Sequence, residues 1–203
     1  NVTVRDSTPF DFGAALTLAS GGDLIVKSGG DVTQTGGALT VPGTTTIEAS
    51  SNTVTLSNSS NNFTGAVSIN ALTVDLEDAG AIVLGASTVT GNYLVTAAGA
   101  VTQSGALGVT GTTTISATGQ NITLANTSND FQNSVIVTGA NVALVNADTI
   151  DLGTSTLSGT FDVTAKAGNI TQSGNLTVTN ASTFKTEATN GTILCGNPLC
   201  TSA

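Results

Sequence analysis

The chain repeats itself. The stretch "VTQSGALGVTGTTTISATGQNITLANTSNDF", Val101 to Phe131, has an earlier copy starting at Val32, "VTQTGGALTVPGTTTIEASSNTVTLSNSSNNF", and a partial later copy starting at Ile170, "ITQSGNLTVTNASTF". Aligning the copies sets Val32 with Val101 and Ile170, Ile47 with Ile115 and Phe184, and Phe63 with Phe131. The long period is about 68 to 69 residues, well beyond a single strand-turn unit. A chain built this way must bury its apolar residues against its own next copy, which confines it to stacked, repetitive folds.

A finer pattern lies inside the long period: a small polar residue followed by an apolar-x-apolar triplet, as in "NITL" from Asn121 and "NVAL" from Asn141. The slot is filled by Asn1, Asp31, Thr53, Thr73, Ala100, Asn121, Asn141, Asn169 and, with one glycine inserted behind it, Asn190. Successive slots stand roughly 20 to 30 residues apart, the interval of one unit in a repeat protein. One long interval and two short ones alternate in fixed order, so three unequal units fill each period. Alternation is period two, β-branched residues abound, and Gly or Asn-Gly breaks punctuate the chain, which predicts short strands and turns. No segment has a helical period with caps. Strands recurring at this interval leave no room for a crossover helix. They predict an all-β fold, a right-handed parallel β-solenoid of about nine coils, three per repeat, over 1–194, followed by a cysteine loop and tail at 195–203. Eight intervals at the strand spacing give a rod roughly 38 Å long.

Composition removes several functions. Only 8% of residues are charged while 39% are apolar, so Thr, Ser, Asn and Gly must keep the surface wet. Four basic residues (Arg5, Lys27, Lys166, Lys185) face thirteen acidic ones, for a formal charge of -9. Nucleic acid and anionic lipid are therefore repelled. No apolar run approaches the roughly 20 residues of a membrane-spanning helix. A signal peptide is lacking and the first residue is Asn1, so the chain is expected to be a mature or excised piece whose targeting segment lies elsewhere.

The candidate chemistry is thin. A line of Asn and Asp at the slots could bind cations, or could sit at coil corners because these residues tolerate αL and bond local backbone; the corner reading is preferred. Thr44–Thr46 and Thr112–Thr114 read as solvated β faces, with an ice-binding array as the other use of such threonines. Solenoid enzymes acting on acidic polysaccharides gather carboxylates with Lys, Arg or His, and this chain has no His. Its one dense acidic group, Asp75, Glu77 and Asp78, is a weak metal candidate, against the preferred reading of incidental surface carboxylates. Alternation puts Asp75 and Glu77 on one strand face, unlike a facing glycosidase pair. Gln34, Gln103 and Gln172 fall two residues after an inward position and are expected to bond backbone at a corner or to mark a kink. Phe63 and Phe131 read as core. No catalytic residue and no cofactor is expected.

The quoted repeat resembles the arrays of filamentous-haemagglutinin-like bacterial exoproteins, over essentially the whole chain from Asn1 to about Leu194. The resemblance implies a parallel β-helix exported by a two-partner or autotransporter route, at the cell surface or outside the cell. It implies a stiff rod in attachment or matrix, with neighbouring repeats end to end as partners, or host or matrix glycans or proteins. In an exported protein Cys195 and Cys200, enclosing "GNPL", are expected to form a disulfide, with free thiols or an intermolecular bond as the alternatives. Because the first unit and the last continue the repeat order, a subunit that self-assembles head to tail into a filament is the second reading. A polysaccharide-active or ice-binding solenoid is the reading from another class.

Overall fold

The computed structural model describes residues 1–194, which form 26 strands and, among those residues, no helix. Every strand pairing among them is parallel. Val2 lies beside Leu24, Leu24 beside Thr45 and Thr45 beside Val67. The stack continues through Ile82–Leu84, Val101–Gln103, Ile122–Leu124, Val142–Asn146 and Phe161–Ala165 to Ser182–Thr186, ten strands and so nine turns. A second stack of ten runs from Phe10–Asp11 through Val32–Thr33, Tyr93–Ala97, Thr113–Ser116 and Ile150–Leu152 to Ile193–Leu194. The protein is a parallel β-solenoid of about nine turns, as the alternation predicts.

Alternation also builds the core. Along Phe161–Ala165 every second side chain is buried, and Leu24, Val26, Ile47, Leu56, Ile82, Ile115 and Val163 all lie in one continuous aliphatic interior. Strand hydrogen bonds run between turns, so the backbone of each inner strand is paired by the turns on either side of it. The threonine triplets differ from expectation. Thr45 and Thr113 are fully buried, because each is the inward member of its triplet, stacked between Leu24 and Val67 or between Tyr93 and Val135. Thr44 and Thr46, and Thr112 and Thr114, are left on the outside.

The slot intervals also mislead about coil length. Register makes the step from Val67 to Leu84 a short turn and the step from Ile170 to Ile193 a long one. Even the latter falls well short of the interval from Asn1 to Asp31. Asn1, Ala100, Asn121 and Asn141 precede strands of the first stack, whereas Asp31, Thr53, Thr73 and Asn169 precede strands of the second. A long interval is thus one ordinary turn plus one face.

The extra face is produced at a seam. Ile82–Leu84 and Ser87–Val89 both lie on the first half of Ala66–Asp78, and one repeat later Ile150–Leu152 and Ser155–Leu157 both lie on Val135–Gly139. Ser87 Oγ bridges the gap by accepting the Ile69 N–H at 3.0 Å and donating to Gly85 O at 3.1 Å. Ser155 does the same with Val137 N–H and Gly153 O. One face splits in two while another ends, so each repeat is turned by one face relative to the last.

Candidate functional site

The corners are held by side chains that stand in for main chain. Asn1 Oδ1 accepts the Asp23 N–H at 3.0 Å, Asp23 Oδ1 the Thr44 N–H at 2.8 Å, and Asp31 Oδ1 the Thr53 N–H at 2.8 Å. Asn121 Oδ1 serves Asn141, Asn141 Oδ1 serves Thr160 at 3.0 Å, and Asn169 Oδ1 serves Thr192 at 2.9 Å. The slot oxygens are committed to the turn that follows, and the arrangement is a structural ladder. Thr53 and Thr73 stack on each other, while Ala100 contributes only its carbonyl, to Ile82 N–H. Asn190 is not part of the ladder: Thr192 stands over Asn169, since Ile193 pairs with Ile170. The slot series omits Asp23, Asn92 and Thr160, which carry the columns through the long intervals, and Thr44, which continues the column of Asn1 and Asp23. An Asn or Asp ahead of each strand is the signal that could have found two of them.

The acidic trio is split. Asp75 and Glu77 lie half-buried on the outer face of Ala66–Asp78, while Asp78 points inward and is 2% exposed. Its Oδ2 accepts the Phe63 N–H at 2.6 Å and its Oδ1 the Gly80 N–H at 2.7 Å. Burial pushes the carboxyl above the usual range, against the pull of those two amides; burial alone raises Asp75. Among the described residues no group of three His, Cys, Asp or Glu side chains is placed to hold a metal ion. The expected cystine, Cys195 with Cys200, lies outside the described residues.

The glutamines do more than mark corners. Gln34 Nε2 donates to Asn61 Oδ1 at 2.7 Å and Asn61 Nδ2 returns a bond to Gln34 Oε1 at 2.9 Å. Gln103 and Asn129 repeat the exchange at 2.8 and 2.9 Å. Asn61 and Asn129 also accept the Leu39 and Leu107 N–H groups, and both are fully buried. Their recurrence at the long period, continued in the sequence by Asn197, was the missed signal.

Among the described residues four buried hydroxyls have no partner: Thr45, Thr113 and Ser182, which are equivalent positions of successive repeats, and Tyr93, which neighbours Thr113. Burial raises the Tyr93 hydroxyl well above its ordinary value, and the nearby Ser87 Oγ is engaged at the seam.

A sizeable open concavity, a corner groove of about 720 Å³, crosses the first three turns. Arg5, Lys27 and Glu48 stand side by side along it, with Lys27 paired to Glu48. Directly after Glu48 the same strand, Thr45–Leu56, bulges between Ala49 and Thr53, with Ser51 at φ 66°. The arrangement can hold a polar ligand. It holds no nucleophile with a base beside it.

Residues 1–70, 71–138 and 139–198 each match one family model, described as repeats of unknown function (DUF5649). The internal boundaries fall at equivalent places, inside Ala66–Asp78 and at the end of Val135–Gly139, the two strands that carry the seams. No curated protein and no solved structure matches the chain.

Proposed function

The chain belongs to the DUF5649 repeat family, and on that premise we propose that it is a non-enzymatic structural solenoid, the stiff shaft of a bacterial surface adhesin or extracellular fibre of the filamentous-haemagglutinin-like kind. The supporting observation is the unbroken ladder of ten parallel strands over one aliphatic core. Such a rod, about 43 Å long for nine turns, resists bending and proteolysis because opening any one turn costs the bonds to both neighbours. Its groove and corners offer hydrogen bonding and no catalytic constellation. Negative-stain microscopy should show straight rods of that length. Removal of the array in the producing bacterium should reduce attachment or matrix cohesion, and unchanged attachment with intact export of the remainder would overturn the reading.

A second reading, end-to-end assembly, draws support from the terminal turns. Val2, Val4, Phe10 and Leu16 at one end, and Val178, Phe184 and Ile193 at the other, are only partly buried where their equivalents inside the rod are sealed. A further turn stacked on either end, from the same polypeptide or from a second copy, would cover them and pair the strand edges. Concentration-dependent light scattering with growth of fibres supports a second copy; a constant monomer excludes it.

A further inference from the structure

Basic side chains are so scarce here that their placement is informative. All four lie in the terminal turns, and two of them, Arg5 and Lys27, are direct neighbours on adjacent strands. Like charges so placed repel each other. Glu48 answers Lys27 alone. Arg5 is exposed and has no ion-pair partner among the described residues. The neighbouring Asp6 carboxylate does not supply one, being held by the Thr8 N–H at 2.9 Å and the Thr8 hydroxyl at 2.7 Å. At the corresponding corner of the next repeat the stacked residues are Glu77, Thr96 and Ser116, so the cationic pair is particular to this groove.

Further groove lining comes from the bulge that follows Glu48 on its own strand. The bulge between Ala49 and Thr53 thrusts Ser50 and Asn52 outward, and Asn52 Nδ2 locks the projection by donating to Ser50 O at 3.0 Å. The bulge keeps a serine, Ser51, in the left-handed region at φ 66°, where the equivalent residue of the next repeat is Gly119 at φ 73°. Strain of this sort concentrates where a surface is shaped for a ligand. No aliphatic or aromatic side chain lines the groove, so the apolar side chains of a peptide would find nothing to bury against.

We propose that this corner groove binds a carboxylate-bearing sugar chain. The Arg5 guanidinium pairs with the carboxylate in the two-pronged geometry that planar groups favour, Lys27 shares its charge between Glu48 and the ligand, and the Ser50 hydroxyl and the Asn52 amide oxygen meet ring hydroxyls. The rod's net charge of -9 opposes approach. Beyond about 8 Å, however, physiological salt screens that field and the local pair decides.

The inference rests on the attachment reading, and the two can fail separately. Trigalacturonate titrated into the chain, followed by calorimetry or amide NMR, should bind with shifts confined to the first three turns. Arg5→Gln should weaken it at least tenfold with an unchanged melting curve, since Arg5 is exposed. The methyl-esterified trimer should not bind. Equal binding by Arg5→Gln, equal or tighter binding of a glutamate-rich peptide, or sodium sulfate reproducing the same shifts as an adventitious ion only, would each overturn the proposal. Rods in the microscope with a silent groove would remove the ligand and leave the shaft.

Discussion

Asp78 and Asn146 occupy the same place in successive repeats, and each side chain takes up the amide proton left over where a face of the solenoid ends. Asp78 Oδ2 accepts from Phe63 at 2.6 Å and Asn146 Oδ1 from Phe131 at 2.8 Å. Alongside, Ala79 N–H bonds Asn61 O and Ala147 N–H bonds Asn129 O, both at 2.7 Å. A side chain thus replaces one strand of main chain at each seam. The second contact differs: Asp78 Oδ1 accepts the Gly80 N–H at 2.7 Å, whereas Asn146 Nδ2 donates to Thr149 O at 2.7 Å, so carboxylate and amide each suit their own partner.

Replacing the carboxylate by the amide should therefore cost stability, because one oxygen that accepts the Gly80 N–H becomes an NH2 group facing it. Asp78→Asn is expected to lose about 1 kcal/mol at neutral pH, and Asp78→Ala about 2–4 kcal/mol by orphaning both amide donors. The raised carboxyl makes the folded state hold its proton more tightly than the unfolded chain does, at 3.8. Its stabilising effect is therefore complete below that value and lost as pH rises through the folded value. Urea unfolding at pH 3 and pH 7 checks the sign: the parent should gain stability relative to Asp78→Asn in acid, and the opposite trend would contradict it.

Thr113→Val should stabilise the protein by about 1 kcal/mol, because it exchanges an unbonded, fully buried hydroxyl for a methyl group of the same shape. Thr45→Val should behave alike. A lower midpoint of chemical unfolding in both variants would show that the hydroxyls have partners.

Asn129→Ala should cost about 3 kcal/mol, since it strands Gln103 and the Leu107 N–H together. Gln103→Leu combined with Asn129→Leu should recover part of that loss. A double-mutant cycle is expected to return a coupling of about 1–3 kcal/mol, and strictly additive losses would deny the pair.

Ser51→Gly should gain about 1 kcal/mol by releasing the left-handed strain, while Ser51→Ala should gain nothing. The converse, Gly119→Ala, should lose about 1 kcal/mol on backbone conformation alone, for no atom lies within 4 Å of where the new methyl group would stand. Melting curves of the three variants decide between conformational and packing explanations.

The amino-acid sequence by itself determined the parallel solenoid, its count of about nine turns, and the aliphatic positions of the interior such as Val32, Val101 and Ile170. These follow from local alternation and from self-similarity, which act on neighbouring residues and on any stack of copies alike. It also pointed to asparagines at the corners. Tertiary structure alone decided which corner each one occupies, because a turn is measured by which strand lies beneath it and not by distance along the chain. Asn1 and Asp31 read as successive members of one series, yet they serve different faces. The same holds for burial. Thr45 looks solvated among threonines, and Asp78 looks like part of an acidic surface, until stacking sets one between Leu24 and Val67 and the other against the end of a face at Phe63.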